Sequence, residues 1–512
     1  MSHKDTSLYA ARVPIFPRRV NGKFRRLKWA IMAVTLAIYY ITPWLRWDRG
    51  PNLPDQAVLI DLANRRFYFF WIEIWPHEFY FVAGLLVMAG LGLFLFTAAL
   101  GRVWCGYACP QTVWTDLFLV VERWIQGDRN ARMKLHNAPW TGRKLRLKGT
   151  TWAAWLLISV ATGGAWVFYF ADAPTLARDL FTLQAPPVAW FTIAILTATT
   201  FTFGGFMREQ VCIYMCPWPR IQGAMMDDGT LTVAYRDWRG EPRGKGLKRR
   251  EMAEELRVTG PQLGGRAPLI PMPGVPDTTT TPRLSVPDRL AQPGDCIDCN
   301  ACVNVCPMGI DIRDGQQLAC ITCALCIDAC DQVMEKVGRP RGLIDYVALS
   351  DAPREAAGGA PVSAWRHILR PRNIVYFALW SLVGVALVFA LFVRPEIEMT
   401  VAPVRNPTFV TLSDASVRNA YDVRVLNKNG EERSFLLSPS LDTTVALSVE
   451  GAPGQIVTVP ADTQERVRVY LTAPPDAPAA NRDRTDLRLW VQDLSSGERA
   501  HVDTNFNGKD TP

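Results

Sequence analysis

At 512 residues the chain has room for two or three domains. Its 49% hydrophobic content and slightly positive mean hydropathy point to membrane segments that do not fill the chain. The net charge of +8 suits basic cytoplasmic loops of a membrane protein and argues against nucleic-acid binding.

The start, MSHKDTSLYAARVPIFPRRVNGKFRRLKWA, is basic and leads into an apolar run without a small-residue cleavage site. It predicts a cytoplasmic segment at 1–28 and a retained first membrane helix. Apolar runs of spanning length lie at 29–45, 79–100, 152–171, 188–206 and 374–393. Residues 1–28 carry eight Lys and Arg against one acid, and 101–150 carry nine against three. The loop 46–77 is balanced at four and four, and 172–187 has one Arg and two Asp. This bias predicts a cytoplasmic N-terminus, cytoplasmic segments at 101–150 and 207–373, and an outer segment at 394–512.

Within the 29–250 membrane domain, a helix pair ending in C-x3-C-P occurs twice. The motifs are VWCGYACPQ, with Cys105 and Cys109, and QVCIYMCPW, with Cys212 and Cys216. The repeat predicts that the four cysteines meet near one pseudo-two-fold axis. Proline disfavours helix in the residue before it, so Cys109 and Cys216 should end one segment while proline opens the next helix. Nearby Arg102, Arg208 and Arg220, and the helix starts, predict thiols of lowered pKa. Such thiols could bind copper, hold a third cluster or cycle as dithiols; small apolar packing at helix ends is the plain alternative. After Pro110, the spacing of Val113, Trp114, Leu117, Val121 and Trp124 predicts an amphipathic helix at the cytoplasmic interface. Met207, Met215, Met225 and Met226 fit membrane packing better than copper binding. His77, His136 and His367 are isolated, and Glu209, Asp227 and Asp228 suit helix ends and interface contacts better than catalysis.

Residues 251–294 are rich in Pro, Gly and Thr and predict a flexible linker. The segment 295–345 follows, with CIDCNACVNVCP from Cys296 and CITCALCIDACD from Cys320. Each run has C-x2-C-x2-C-x3-C spacing, the pattern of a two-cluster ferredoxin in which the fourth cysteine reaches the other cube. The crossover assigns Cys296, Cys299, Cys302 and Cys330 to a first 4Fe–4S cluster, and Cys320, Cys323, Cys326 and Cys306 to a second. Zinc is the alternative for C-x2-C pairs, but eight cysteines at doubled spacing argue against it. The second run ends in Cys330-Asp331 where the first has Cys306-Pro307. All twelve cysteines fall in these motifs, as suits metal or redox chemistry in a reducing compartment.

After the fifth span at 374–393, residues 400–510 alternate apolar and polar positions. Asn429-Gly430 between two such runs predicts a hairpin, and the whole predicts an immunoglobulin-like β-sandwich that binds a partner. The fold class is thus a multi-domain membrane protein. It has five transmembrane α-helices, a cytoplasmic bacterial-type two-cluster ferredoxin domain and a C-terminal immunoglobulin-like β-sandwich.

At GRVWCGYACPQTVWTD, REQVCIYMCPWPRIQGAMMDDGT, YRDWRGEPRG and GDCIDCNACVNVCPMGIDIRDG the chain closely resembles the cytochrome c oxidase accessory proteins of the CcoG/FixG type. The resemblance extends from IFPRRVNGKFRRLKW to the sandwich, although the 251–294 linker is longer than it implies. It implies a multi-pass protein of the bacterial inner membrane, with a cytoplasmic N-terminus and a periplasmic C-terminal domain. The implied role is iron–sulfur electron transfer in assembly of a cbb-type oxidase, as a cupric reductase making Cu(I) for copper delivery. Its partners would be oxidase subunits or copper chaperones and transporters, with the electron donor unnamed. Cys105, Cys109, Cys212 and Cys216 would then be the catalytic thiols, and Cu(I) is the soft state that thiolates select. Two other functions fit the same residues: a quinol-linked electron conduit without copper chemistry, and an assembly scaffold with structural clusters.

Overall fold

The computed structural model describes residues 13–50, 53–245, 294–394, 397–440 and 444–509. The predicted linker therefore lies outside the described residues apart from Gly294. The chain divides into two compact units. One falls within Met1–Pro43, Ile60–Arg66 and Ile74–Gly384, the other within Trp44–Leu59, Phe67–Glu73 and Val385–Pro512.

Among the described residues, three helices are long and apolar enough to cross a membrane: Tyr80–Leu100 and Pro187–Met207 in the first unit, and Pro371–Phe392, whose residues after Gly384 belong to the second. Helices also form at the two other predicted spans, at Lys23–Ile41 and Gly142–Val167. These fall below the same measure. The first begins among Arg25, Arg26 and Lys28, and the second mixes Thr and Gly into its apolar run. Small residues let this bundle close. A Cβ on Gly163 would stand 2.9 Å from the Ile193 carbonyl, and one on Gly205 2.9 Å from the Trp155 ring. Trp155 in turn stacks on Phe118 at 5.4 Å.

The helix Pro110–Gln126 departs from the simple interfacial picture. Its inward face carries Thr112, Asp116, Glu122 and Gln126 as well as Val113, Phe118 and Leu119. Asp116 pairs with Arg25 at 2.9 Å, and Glu122 pairs with Arg208 at 2.9 Å and Arg132 at 3.2 Å. Buried charges persist only when paired, so these pairs fix the helix by its polar side. Of the predicted apolar stripe, Trp114, Leu117 and Val121 are half-buried and Trp124 is exposed.

The ferredoxin module is stitched to this bundle. The strand Thr232–Tyr235 pairs antiparallel with Ile344–Val347. Asp328, on a ferredoxin helix, accepts the backbone N–H of Phe24 at 3.3 Å and of Arg25 at 2.8 Å. A carboxylate there satisfies orphan donors and the positive end of the Lys23–Ile41 helix. A Cβ on Gly22 would collide with the Asp328 carboxylate.

The second unit contains the sandwich. One sheet runs Ala446–Val449, Gln464–Ala473, Val417–Asn427, Ile397–Pro403, with Val410–Thr411 also on Val417–Asn427. The other runs Ile456–Val459, Arg433–Pro439, Arg484–Asp493, Arg499–Asn507. Strict alternation buries Val417, Tyr421, Val423 and Val425 against Phe435, Leu437, Leu489 and Val491. The expected Asn-Gly hairpin is overturned, because its flanking strands belong to different sheets. Neither Asn429 nor Gly430 takes the positive φ that the tight hairpin turn needs. Instead the buried Asn427 amide donates to the carbonyls of Glu431, Val459 and Pro460, holding the crossing between sheets.

Candidate iron–sulfur and thiol site

The two cysteine runs fold as copies of each other. Asp298 and Asn300 have φ of 51° and 57°, and their counterparts Thr322 and Ala324 have 49° and 57°. Such left-handed residues are costly and occur where function requires them. Alternating them curls the loop, and the Thr322 N–H is directed at the Cys320 sulfur at 3.5 Å. Arg313 braces the first loop, donating to Asp298 at 2.7 Å, Asn300 at 2.6 Å and Asp311 at 2.6 Å. Sequence reasoning missed this role, since nothing marks one arginine in GIDIRDG as a brace. The helix Ala301–Val305 stops at Cys306, where Pro307 forbids continuation. Leu325–Lys336 carries on through Cys330 because Asp331 replaces the proline. Asp331 accepts the Gly342 N–H at 2.9 Å.

Two adjoining cavities collect the cysteines. Cys296, Cys299, Cys302 and Cys330 line one, with Tyr235 and Arg313. Cys306, Cys320, Cys323 and Cys326 line the other, with Ile310 and Ile312, and Cys302 borders both. Cys330 thus stands with the first run, and Cys306 with the second. Among the described residues no three Cys, His, Asp or Glu side chains converge on one point as a single ion needs. The thiols surround a space, the arrangement that suits four corner irons, and the all-sulfur donor set suits iron–sulfur chemistry. Burial pushes Cys302 and Cys320 up to about 11, and Cys306 and Cys330 up to about 12. Metal binding must therefore displace a proton from each. Cys299 is exposed.

The C-x3-C-P motifs occupy matching breaks in the bundle. Gly101 with φ 65° ends Tyr80–Leu100, and Arg208 with φ 42° ends the π-helical turn Phe201–Met207. Cys105 lies on the short helix Val103–Tyr107, and Cys212 on a π-helical turn, Val211–Met215. Cys109 caps Pro110–Gln126 with proline in the first turn, as the sequence predicts. Pro217 begins Trp218–Met225 as its N-cap. The four thiols come together. Cys105 feels the charge of Cys109, Cys212 and Cys216, and Cys212 feels Cys109 and Cys216. The Cys105 thiol donates to Gln222 Oε1 at 3.1 Å.

The expectation of activated thiols is overturned at Cys105, Cys109 and Cys212. Burial pushes Cys105 and Cys212 up to about 12, and neighbouring thiols push the same way. Cys109 is raised by burial despite the Gln111 and Thr112 N–H groups at its helix start. Arg102 pulls the Cys105 thiol down but does not offset its burial. Arg208 is committed to Glu122.

These thiols abut the second cavity. Cys105, Cys212 and Ile213 pack in one apolar cluster with Cys306, Cys323 and Cys326. Gly106 is flush with the cysteine loop, for a Cβ there would lie 2.6 Å from the Ile321 carbonyl and 3.0 Å from Cys323 Cα. The Tyr107 hydroxyl donates to the Cys323 carbonyl at 3.3 Å. Arg102 donates to the carbonyls of Leu318 and of Cys320, the latter at 3.3 Å, and to Pro219 in the second repeat at 2.6 Å. Other polar residues pair with near neighbours. His367 meets Asp351 at 2.6 Å, the His136 ring packs on Phe16, and Asp227 pairs with Arg370 and Arg372.

Known proteins carry the same parts. A model described as a "4Fe-4S dicluster domain" matches residues 207–262 and 279–349, and a "4Fe-4S binding domain" matches 81–131. The "IG-like fold at C-terminal of FixG" matches 387–509. Protein RdxB of Cereibacter sphaeroides is 63% identical over 99% of this chain and 100% of its own length. Protein RdxA of the same organism is 58% identical over 98% of both chains. Nitrogen fixation protein FixG of Rhizobium meliloti is 51% identical over 98% of this chain and 94% of its own. With paired cysteine loops, membrane-length helices and a C-terminal sandwich, the chain belongs to the FixG-type family of iron–sulfur membrane proteins.

Proposed function

We propose that the protein reduces Cu(II) to Cu(I) at Cys105, Cys109, Cys212 and Cys216 for copper delivery to a cbb-type cytochrome c oxidase. Cys296, Cys299, Cys302 and Cys330 hold one 4Fe–4S cluster; Cys306, Cys320, Cys323 and Cys326 hold the other. Bound clusters supply one-electron storage and transfer. The observation that carries the proposal is the apolar cluster joining Cys105 and Cys212 to Cys306, Cys323 and Cys326. It gives the membrane thiols the second ligand set as their neighbour. Copper is the substrate: one electron converts Cu(II) to Cu(I), and thiolate donors favour the product. Arg102 and Tyr107 keep the ligand loop against the thiols. The topology has five spans, with cysteine sites on the cytoplasmic side of the inner membrane and the sandwich in the periplasm, where it grips an assembly partner.

The test replaces Cys109 and Cys216 with Ser, verifies the clusters by iron content and EPR, and follows Cu(I) with a chromogenic chelator under reductant. Copper reduction should be lost while the clusters stay intact. A wild-type rate removes these thiols from the mechanism, and strict quinol dependence without copper turnover favours the conduit.

A further inference from the structure

The two ligand sets differ in what covers them. Of the eight cysteines, Cys299 is exposed and the other seven are buried or half-buried. The second set has the bundle against it. Gly106 is flush with its loop, and Arg102 and Tyr107 donate to its backbone carbonyls. Cys306, Cys323 and Cys326 share an apolar cluster with Cys105 and Cys212, and among the described residues that cluster contains no cysteine of the first set. Cys302 borders both cavities. The groups therefore follow one another in a line: solvent, Cys299 with the first set, the Cys302 wall, the second set, and the membrane thiols.

The rim at Cys299 is polar. Asp298 precedes it with 39% of its side chain exposed, while the Arg313 guanidinium is only 7% exposed and is held by Asp298, Asn300 and Asp311. Among the described residues, no large apolar side chain between 294 and 317 is exposed. A quinol ring is held by apolar walls, which this rim lacks. Brief electron-transfer encounters between soluble proteins instead use small contacts.

We propose that electrons enter from a soluble one-electron carrier protein that docks over Cys299, and pass through the first ligand set to the second. The inference rests on the two ligand sets holding their clusters, as in the proposed function, but not on copper. In each turnover the carrier is oxidised by one electron and the first site is reduced by it. That electron then moves to the second site, with no bond made or broken and no proton transferred.

The experiment uses the full chain in detergent with its clusters assembled and copper absent. Two variants isolate the signals: Cys306→Ser leaves the first cluster and Cys330→Ser leaves the second. Dysprosium(III)–EDTA, a water-soluble relaxing agent, should speed the EPR relaxation of the first cluster and leave the second unchanged. Reduction by a small reduced ferredoxin should be about tenfold slower or more in Cys330→Ser than in Cys306→Ser. Wild-type protein gives the same answer should a variant fail to assemble, because the agent should act on one of its two signals and spare the other. The proposal is overturned if both clusters respond equally to the agent, if ferredoxin reduces the second cluster as fast without the first, or if duroquinol reduces the wild-type clusters as fast as ferredoxin does. Wild-type protein with fewer than two cluster signals would reject the ligand sets themselves, and the proposal with them.

Discussion

Gly106→Ala tests the contact between the membrane thiols and the second cysteine loop. The new Cβ would sit 2.6 Å from the Ile321 carbonyl, 3.0 Å from Cys323 Cα and 3.1 Å from Cys323 N. All three are backbone atoms, so no side chain can rotate away. The loop must retreat by roughly half an ångström or more, and such overpacking costs about 1–3 kcal/mol. A docked contact weakened by that amount opens about 5- to 150-fold more often. Hydrogen exchange of residues 318–324 in the full chain should rise within that range, and Cu(II) reduction should fall. Gly164→Ala is the matched control, because a Cβ there meets nothing within 4 Å. Wild-type exchange and copper turnover in Gly106→Ala, equal to the control, would refute the proposed contact.

Cys330→Ser should disturb the cluster held with Cys296, Cys299 and Cys302 and spare the other, which EPR of the reduced protein will separate; loss of the second signal alone rejects the crossed ligand sets. A reporter active only outside the cytoplasm should work when fused after residue 400 and stay silent near residue 300, and the opposite pattern rejects the five-span topology. In the sandwich, burial raises the Asp493 carboxyl, but Arg433 at 2.5 Å, the Ser495 N–H and the Ser496 hydroxyl outweigh it and hold it near about 2. A folded pKa below the unfolded one stabilises above about pH 4, and this support disappears as pH falls towards 2. It amounts to about 1–2 kcal/mol after solvent screening. Exchange from the 484–493 strand should therefore accelerate across that window, and Asp493→Asn should flatten the response.

The gathering of the cysteine runs around two cavities was legible because their spacing is fixed within one short segment. The crossing of Cys306 and Cys330 follows from the same rule. The proline after Cys109 was equally plain, since it constrains the residue before it. What the spacing could not carry was environment. The thiol pKa depends on how much protein covers Cys105 and Cys212, and covering residues such as Ile321 and Leu325 come from distant segments. The same holds for Arg102, whose acceptors lie more than a hundred residues away. The Asn429-Gly430 turn misled for a related reason. A local hairpin signal yielded to Asn427, whose buried amide bonds are made only once two sheets face each other.

Asp328 gives the cysteine loops a part in the chain's birth. The Lys23–Ile41 helix leaves the ribosome early, but the carboxylate that accepts its Phe24 and Arg25 N–H groups comes about three hundred residues later. At ordinary elongation rates that interval is about 15–60 s. Asp328 lies on the helix between Cys326 and Cys330, so it takes its place only when the surrounding loops have closed. The first helix of the bundle is thus capped last, only after some three-fifths of the chain has been made.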